Sequence, residues 1–324
     1  MRLLWFTGIL ITLWVGTAMA DDFAACVARL QDAAVAAGVT RTVAAAALDH
    51  VQSDASVLAL AQSQPEFKLP IWDYLGFLVD QQRIDEGRAR MQQHAQILRA
   101  AEQHSGVNRY VLTAVWGVET DYGNTTGKHF LPQALATLVC AGHRRAGFWR
   151  SELLAALQLV ARGDLALHQL YGSWAGAFGQ TQFLPSTYAR LAVDFDGDGR
   201  RDLVDSLADA LGSTANYLQR AGWRHGEPWM REVQVPAHYK GPTGRTNRTP
   251  ASTWATQGVV RADGGVLSGD APAGLLLPAG PEGPGFLVFR NFDAIYAYNR
   301  AESYALAIAH LADRLAGSPA LRTP

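Results

Sequence analysis

Trp116-Gly117-Val118-Glu119-Thr120-Asp121-Tyr122-Gly123 places a single carboxylate at the end of an apolar helical stripe. Val111, Leu112, Val115 and Val118 recur at i, i+1, i+4 and i+7, and Glu119 follows Val111 and Val115 at helical spacing. Its carboxyl is therefore expected on the core-facing side of a helix. Burial there disfavours the ionised form and raises the pKa, which suits a general acid working near neutral pH. The alternative is a helix end turned outward with Glu119 solvated. Asp121 is the nearest second acid, and two such positions are ~200° apart around a helix, so it is not expected to share the face of Glu119.

At 324 residues with 48% hydrophobic content, the chain is long enough for a substantial core and for two or three subdomains. Residues 1–20 read as a secretory leader: Arg2 precedes an apolar run from Leu3 to Val15, and Ala18-Met19-Ala20 forms a cleavage site before Asp21-Asp22. The run is shorter than the ~20 residues a membrane helix needs. A periplasmic, soluble product is expected. The competing reading, lipid attachment at Cys26, is disfavoured by Asp21 and Asp22 and by the Phe-Ala-Ala lead-in. Cys26 and Cys140 are the two cysteines, and export allows a disulfide between them; the alternative is a pair of buried reduced thiols. Loss of Arg2 with the leader leaves 27 basic against 29 acidic residues, a net charge of −2. No basic field exists to hold nucleic acid or an anionic membrane.

The expected fold class is mainly α with a smaller β part (α+β). Residues 21–100 read as a helical domain, with the C-terminal helix 304–316 packing on it, and residues 101–222 as a core domain. Within these, Phe23 to Ala37 ends at Gly38, Thr40 caps a helix through Leu48, and Phe148 to Arg162 ends at Gly163. Pro132 is expected in a linking segment before the Ala134–Val139 run. Residues 223–285, rich in Gly, Pro and Thr, read as a small β-rich domain with strands at Glu232–Val235, Gly258–Val260 and Gly274–Leu277. Residues 286–324 return to the core, with a helix from Tyr304 to Leu315 closed by Gly317.

Several enzyme classes lack their parts. Gly123-Asn-Thr-Thr-Gly127-Lys128-His129 is one spacer short of a phosphate loop and has no Ser or Thr after Lys128. C-x-x-C, H-E-x-x-H and G-x-S-x-G are absent from the sequence, and the nine histidines are scattered.

Asp194-Phe-Asp196-Gly-Asp198-Gly199-Arg200-Arg-Asp202-Leu-Val-Asp205 follows the EF-hand plan. Oxygen side chains fall at positions 1, 3, 5, 9 and 12, Gly199 at position 6, and the Arg200 carbonyl at position 7, a set suited to structural Ca²⁺. Asp205 stands where a longer bidentate Glu is usual, and Asp209 in the next turn is an alternative ligand. The competing reading is a solvated acidic turn. Upstream, the stretch from Tyr171 to Ser186 combines Gly and Ala with Ser173, Gln180 and Gln182 beside aromatic residues, a composition suited either to a sugar-binding cleft or to a tight helix–loop junction.

Together with Trp72-Asp73-Tyr74-Leu75, His143-Arg144-Arg145, Ala215-Asn216-Tyr217 and Tyr298-Asn299, these stretches make the chain resemble the lytic murein transglycosylase B family, glycoside hydrolase family 103. The resemblance implies a lysozyme-like core domain flanked by a helical domain and a small β domain. It implies that Glu119 is the sole catalytic acid/base and that Ser173, Gln182, Tyr298 and Asn299 contact the sugars around the cleavage point. Tyr74, Tyr217 and Tyr304 resemble cleft-lining tyrosines, and Arg144 and Arg145 resemble residues facing the peptide stem. Phe148, where a tyrosine can line the cleft, and Ala301, in place of a frequent Ser, depart from the pattern. The implied partner is the peptidoglycan glycan strand with its peptide stems. The implied reaction cleaves the MurNAc–GlcNAc bond and leaves a 1,6-anhydro sugar, with no organic cofactor. A lysozyme-type hydrolase and a non-catalytic peptidoglycan-binding scaffold are the rival readings.

Overall fold

The computed structural model describes residues 15–62, 69–280 and 282–322. The leader read over residues 1–20 falls, up to residue 14, outside the described residues.

Three helices open the chain: α1 (Val15–Ala36), α2 (Arg41–Leu48) and α3 (Ala55–Gln62). Thr40 caps α2 by accepting the amide of Val43. Next come α4 (Ile71–Leu78), α5 (Gln81–Gln93), α6 (Ala95–Ser105) and α7 (Arg109–Thr120). The strand β1 (His129–Phe130) leads into α8 (Leu131–Cys140), and α9 (Ala146–Ala161) precedes β2 (Tyr171–Gly172), which pairs antiparallel with β1. Pro132 is not in a linker but in the first turn of α8, where its missing N–H leaves no helical bond unmade.

Then follow α10 (Pro185–Leu191), α11 (Leu207–Arg220), β3 (Met230–Gln234), β4 (Thr249–Pro250), α12 (Ala251–Thr256), β5 (Val260–Arg261), β6 (Pro272–Leu276) and β7 (Gly285–Val288). The five-stranded sheet has the order β4-β6-β7-β3-β5 and is antiparallel throughout. It closes with β7, whose last residue, Val288, lies beyond the expected boundary at 285. The chain ends in α13 (Arg290–Asn299) and α14 (Glu302–Leu315).

Burial sorts these elements into three cores. In the first, Leu98, Val111, Val115, Leu211, Phe292 and Leu306 draw together α4 to α7, α11, α13 and α14, with α14 packed against α7. In the second, Leu30, Leu48, Leu135, Leu157, Phe178 and Phe183 join α1 and α2 to α8, α9 and the segment before α10. The third fills the sheet with Trp254, Leu275 and Leu287. The cores follow packing rather than chain order: α1 and α2 belong with α8 and α9, whereas α4 to α6 belong with α7. A bond between Cys26 and Cys140, with Cα atoms 5.8 Å apart, ties α1 to the end of α8. Tyr217 and Tyr298 touch both the first and second cores, and the candidate site lies at that junction.

Candidate active site

The helix α7 starts with Asn108 Oδ1 accepting the amide of Tyr110 at 2.9 Å. It ends where Asp121 and Tyr122 both take left-handed backbone angles, φ +50° and +57°. Such a conformation costs roughly 1–2 kcal/mol per non-glycine residue, so something must hold it. Arg83 of α5 does: its guanidinium lies 3.7 Å from Asp121 Oδ1, and its carbonyl accepts the Tyr122 hydroxyl at 2.8 Å. Gly117 makes the fold-back feasible, because a Cβ there would sit 2.6 Å from the Tyr122 ring. Asp121 thus lies beyond the helix and is engaged by Arg83 and Asn124. The helical-spacing argument does not apply to it; the left-handed cap sets its direction.

Glu119 is half-buried in the last turn of α7, and its Oε1 accepts the hydroxyl of Tyr304 at 2.5 Å. Loss of solvent pushes its carboxyl up to about 7, against the Tyr304 hydrogen bond, which favours the ionised form. Among the described residues, no ion pair reaches Glu119.

Tyr304, in the first turn of α14, stacks on Tyr298 at 6.4 Å between centroids and 9° between planes. Tyr298 leans against Tyr217 at 4.7 Å, and Phe183 lies 6.0 Å from each of them. Hydroxyls fix the group: Tyr298 donates to Thr181 O at 2.8 Å and Tyr217 to Ala297 O at 2.6 Å. Burial, and then the Glu119 charge, push the phenols of Tyr298 and Tyr304 well above their ordinary value, so both act as hydrogen-bond donors. Tyr74 is buried in the first core, which Tyr304 shares. The structure thus brings Glu119, Tyr217, Tyr298 and Tyr304 together, with Tyr74 buried in the same core as Tyr304.

The remaining candidates are arranged around this group. Ser173 Oγ accepts the amide of Ala177 at 3.0 Å, leaving its hydroxyl proton for another acceptor. Gln182, at φ +54°, donates to Thr126 O at 2.9 Å and Gly179 O at 3.1 Å. Asn299 is exposed at the end of α13. Arg144 and Arg145 are exposed, and the Arg145 guanidinium lies 4.3 Å from the Phe148 ring centroid. Gln180 fits the tight helix–loop junction, one of the two readings of its stretch. Instead of offering itself to a sugar, it directs its side-chain amide to Trp116 Nε1 and Val204 O.

The acidic loop differs in detail. Oxygens of Asp194, Asp196, Asp198 and Asp209 lie within 4.8 Å of one another, a set that fits one hard cation. Asp202 and Asp205 both accept from Gln169 Nε2 instead, at 3.1 and 2.8 Å. Arg200 is exposed, 3.6 Å from Asp202. Asp209, the alternative to Asp205, is fully buried, and its oxygens accept the amides of Phe195 and Asp202 at 2.7 Å each.

The fold is that of a transglycosylase-type domain. The chain belongs to the transglycosylase SLT domain family, which matches residues 22–313. It is 34% identical over 237 residues to membrane-bound lytic murein transglycosylase B of Escherichia coli (strain K12), a match covering 72% of this chain and 64% of that protein. The chain therefore spans less than two thirds of that relative's length. Among solved structures it resembles SltB3 from Pseudomonas aeruginosa in complex with NAG-anhNAM-pentapeptide, at 41% identity and a TM-score of 0.87, covering 93% of this chain and 83% of that one. It also resembles the Escherichia coli lytic transglycosylase SLT35 in complex with calcium, at 30% identity and a TM-score of 0.78, covering 90% and 92%. The mainly α architecture with a small sheet is that of these lysozyme-like structures.

Proposed function

We propose that the protein is a peptidoglycan lytic transglycosylase that uses Glu119 as its only acid and base. The observation that carries this reading is Glu119 itself, a carboxyl pushed up to about 7 and held by Tyr304 among stacked tyrosines, with no ion pair among the described residues. Near neutral pH it holds a proton in a substantial fraction of molecules, as a general acid must. The proton passes to the oxygen bridging N-acetylmuramic acid and N-acetylglucosamine, and the bond from that oxygen to muramyl C1 breaks. The muramyl N-acetyl group assists the cationic centre. Glu119, now a carboxylate, takes the proton of the muramyl C6 hydroxyl as its oxygen bonds to C1, so the ring closes as a 1,6-anhydro sugar and the acid is regenerated. Ordinary glycosidases need a second carboxylate, about 5 Å away for retention or about 6.5–9.5 Å for inversion; here the substrate's own hydroxyl replaces the water.

Ser173, Gln182, Tyr298 and Asn299 contact the sugars, while Arg144 and Arg145 face the acidic peptide stem. Asp194, Asp196, Asp198 and Asp209 hold Ca²⁺, whose part is to neutralise the loop and fix it, away from the chemistry; the close spacing of their oxygens supports this. The site of action is the periplasm. The leader read in residues 1–20 supports export, and among the described residues no helix is long and apolar enough to cross a membrane.

The deciding experiment digests purified sacculi and weighs the muropeptides. Anhydro ends, one water lighter than reducing ends, are expected. Reducing muramic acid ends would make the protein a hydrolase, and undigested sacculi with bound protein would make it a scaffold.

A further inference from the structure

Gln180 uses every polar atom it has inside the protein. Its backbone amide donates to Leu203 O at 2.8 Å and its Nε2 to Val204 O at 3.1 Å, which fasten it to the end of the acidic loop. Its Oε1 accepts the Trp116 indole N–H at 3.1 Å, and its carbonyl accepts the Thr120 hydroxyl at 2.6 Å. Trp116 and Thr120 are four residues apart, so the two bonds grip one stripe of the final turn of α7, and Glu119 belongs to that turn.

Thr181, the next residue, accepts the Tyr298 hydroxyl; Tyr298 stacks on Tyr304, and Tyr304 holds Glu119. The contacts form a closed circuit that leaves Glu119 through the tyrosines and returns to its own helix through residues 181 and 180. Gly123 belongs to the same fit, since a Cβ there would lie 2.5 Å from Gln180 Oε1. The demand is specific to a glutamine. One planar amide accepts from an indole and donates to a carbonyl; a glutamate would set a second acceptor against Val204 O, and a leucine would strand the N–H of Trp116, which is only 3% exposed.

We propose that Gln180 is a positioning residue for Glu119: it locks the acid-bearing turn of α7 to segment 203–204 and to the loop beneath Tyr298, so that the carboxyl meets Tyr304 in one orientation. This rests on the reading of Glu119 as the acid. With the lock gone, the turn loosens, water reaches the carboxyl, and the group drifts toward ordinary carboxylate behaviour.

Three variants test it: Gln180→Leu, Thr120→Val, which is isosteric but lacks the hydroxyl, and Thr120→Ser, which keeps it. Two readouts are taken on folded protein, checked by cooperative thermal melts. The first is the ¹³C NMR titration of the Glu119 carboxyl, recognised by its loss in Glu119→Gln. The second is the pH dependence of kcat and KM on soluble glycan chains. Gln180→Leu and Thr120→Val should titrate at a lower midpoint than the native protein, with the alkaline limb of kcat displaced equally and KM little changed. The first unit of that displacement lowers kcat at pH 7 by about five-fold, because the protonated fraction falls from one half to about a tenth. Thr120→Ser should behave as native. If Gln180→Leu does not fold, the Val and Ser pair decides. Native midpoints in Gln180→Leu and Thr120→Val, or a Ser variant displaced as far as the Val variant, would overturn the proposal. The NMR titration needs no turnover. A native protein that releases no anhydro ends but shows the displacement overturns the transglycosylase reading alone, whereas native turnover with unmoved midpoints overturns the positioning role alone.

Discussion

Tyr304 donates its hydroxyl to Glu119 Oε1 across 185 residues of chain, joining the first turn of α14 to the last turn of α7. The bond works against the desolvation that raises the Glu119 pKa, because it favours the carboxylate. Tyr304→Phe should therefore move the alkaline limb of activity upward in pH, the direction opposite to that expected for the Gln180 variant. Loss of orientation should still lower kcat, by about ten- to a hundred-fold. A pH–rate series on soluble glycan chains reads both effects, and a limb that moves downward would contradict this account of the bond.

Glu119→Gln should abolish turnover, with a loss near the upper end of the 10²–10⁴-fold typical of general acid–base assistance. The same change should stabilise the fold at alkaline pH. In the folded protein the carboxyl titrates at about 7, above its unfolded value of 4.5, so the native state holds the proton more tightly. The stability this lends is full below pH 4.5 and is lost as pH rises through 7. Gln never ionises. After allowance for its partial exposure, the variant should exceed the native protein by on the order of 2 kcal/mol at pH 8, with the gap closing by pH 4. Asp313, also pushed up to about 7 by burial, is common to both proteins and cancels. Urea melts at the two pH values measure the difference; equal midpoints at pH 8 would refute a buried charge.

Calcium should raise the melting temperature through linkage, by about 2.7 kcal/mol of stability when free Ca²⁺ is a hundred times Kd. Asp198→Asn should remove most of that response, because Asp198 is one of the four acids that converge. Asp205→Asn should leave it intact, because Asp205 faces Gln169. Melts in calcium and in chelator give the answer, and an undiminished response in Asp198→Asn would displace the site.

Ala301 is the N-cap of α14 in an extended conformation and makes no side-chain cap hydrogen bond. Ala301→Ser should supply one, adding about 0.5–1 kcal/mol and steadying the turn that carries Tyr304. Calorimetry should find a higher melting temperature with activity retained. A lower one would mean that the buried hydroxyl finds no amide.

Much of the fold could be read from local patterns. The glycine stops after α1, α9 and α14, the Thr40 cap and the apolar stripe of α7 are short-range signals that tertiary packing did not override. The helices α12 and α13 escaped notice because Gly- and Pro-rich surroundings and mixed polarity masked their periods. Side-chain directions at the site have another cause. Asp205 turns to Gln169, 36 residues upstream, and Gln180 turns to Trp116, 64 residues upstream, and no spacing rule reaches that far. Residue type fixed what these side chains can do, while distant neighbours fixed where they point.

The Cys26–Cys140 bond closes a ring of chain that contains Glu119 but excludes Gln180, Tyr298 and Tyr304. The ring therefore constrains the helix that carries the acid but none of the residues that hold its carboxyl in place. Without α14, Glu119 would lack its Tyr304 partner and the packing of that helix against α7. A fragment that stops short of residue 304 would carry the acid and the ring without the hydroxyl that holds the carboxyl.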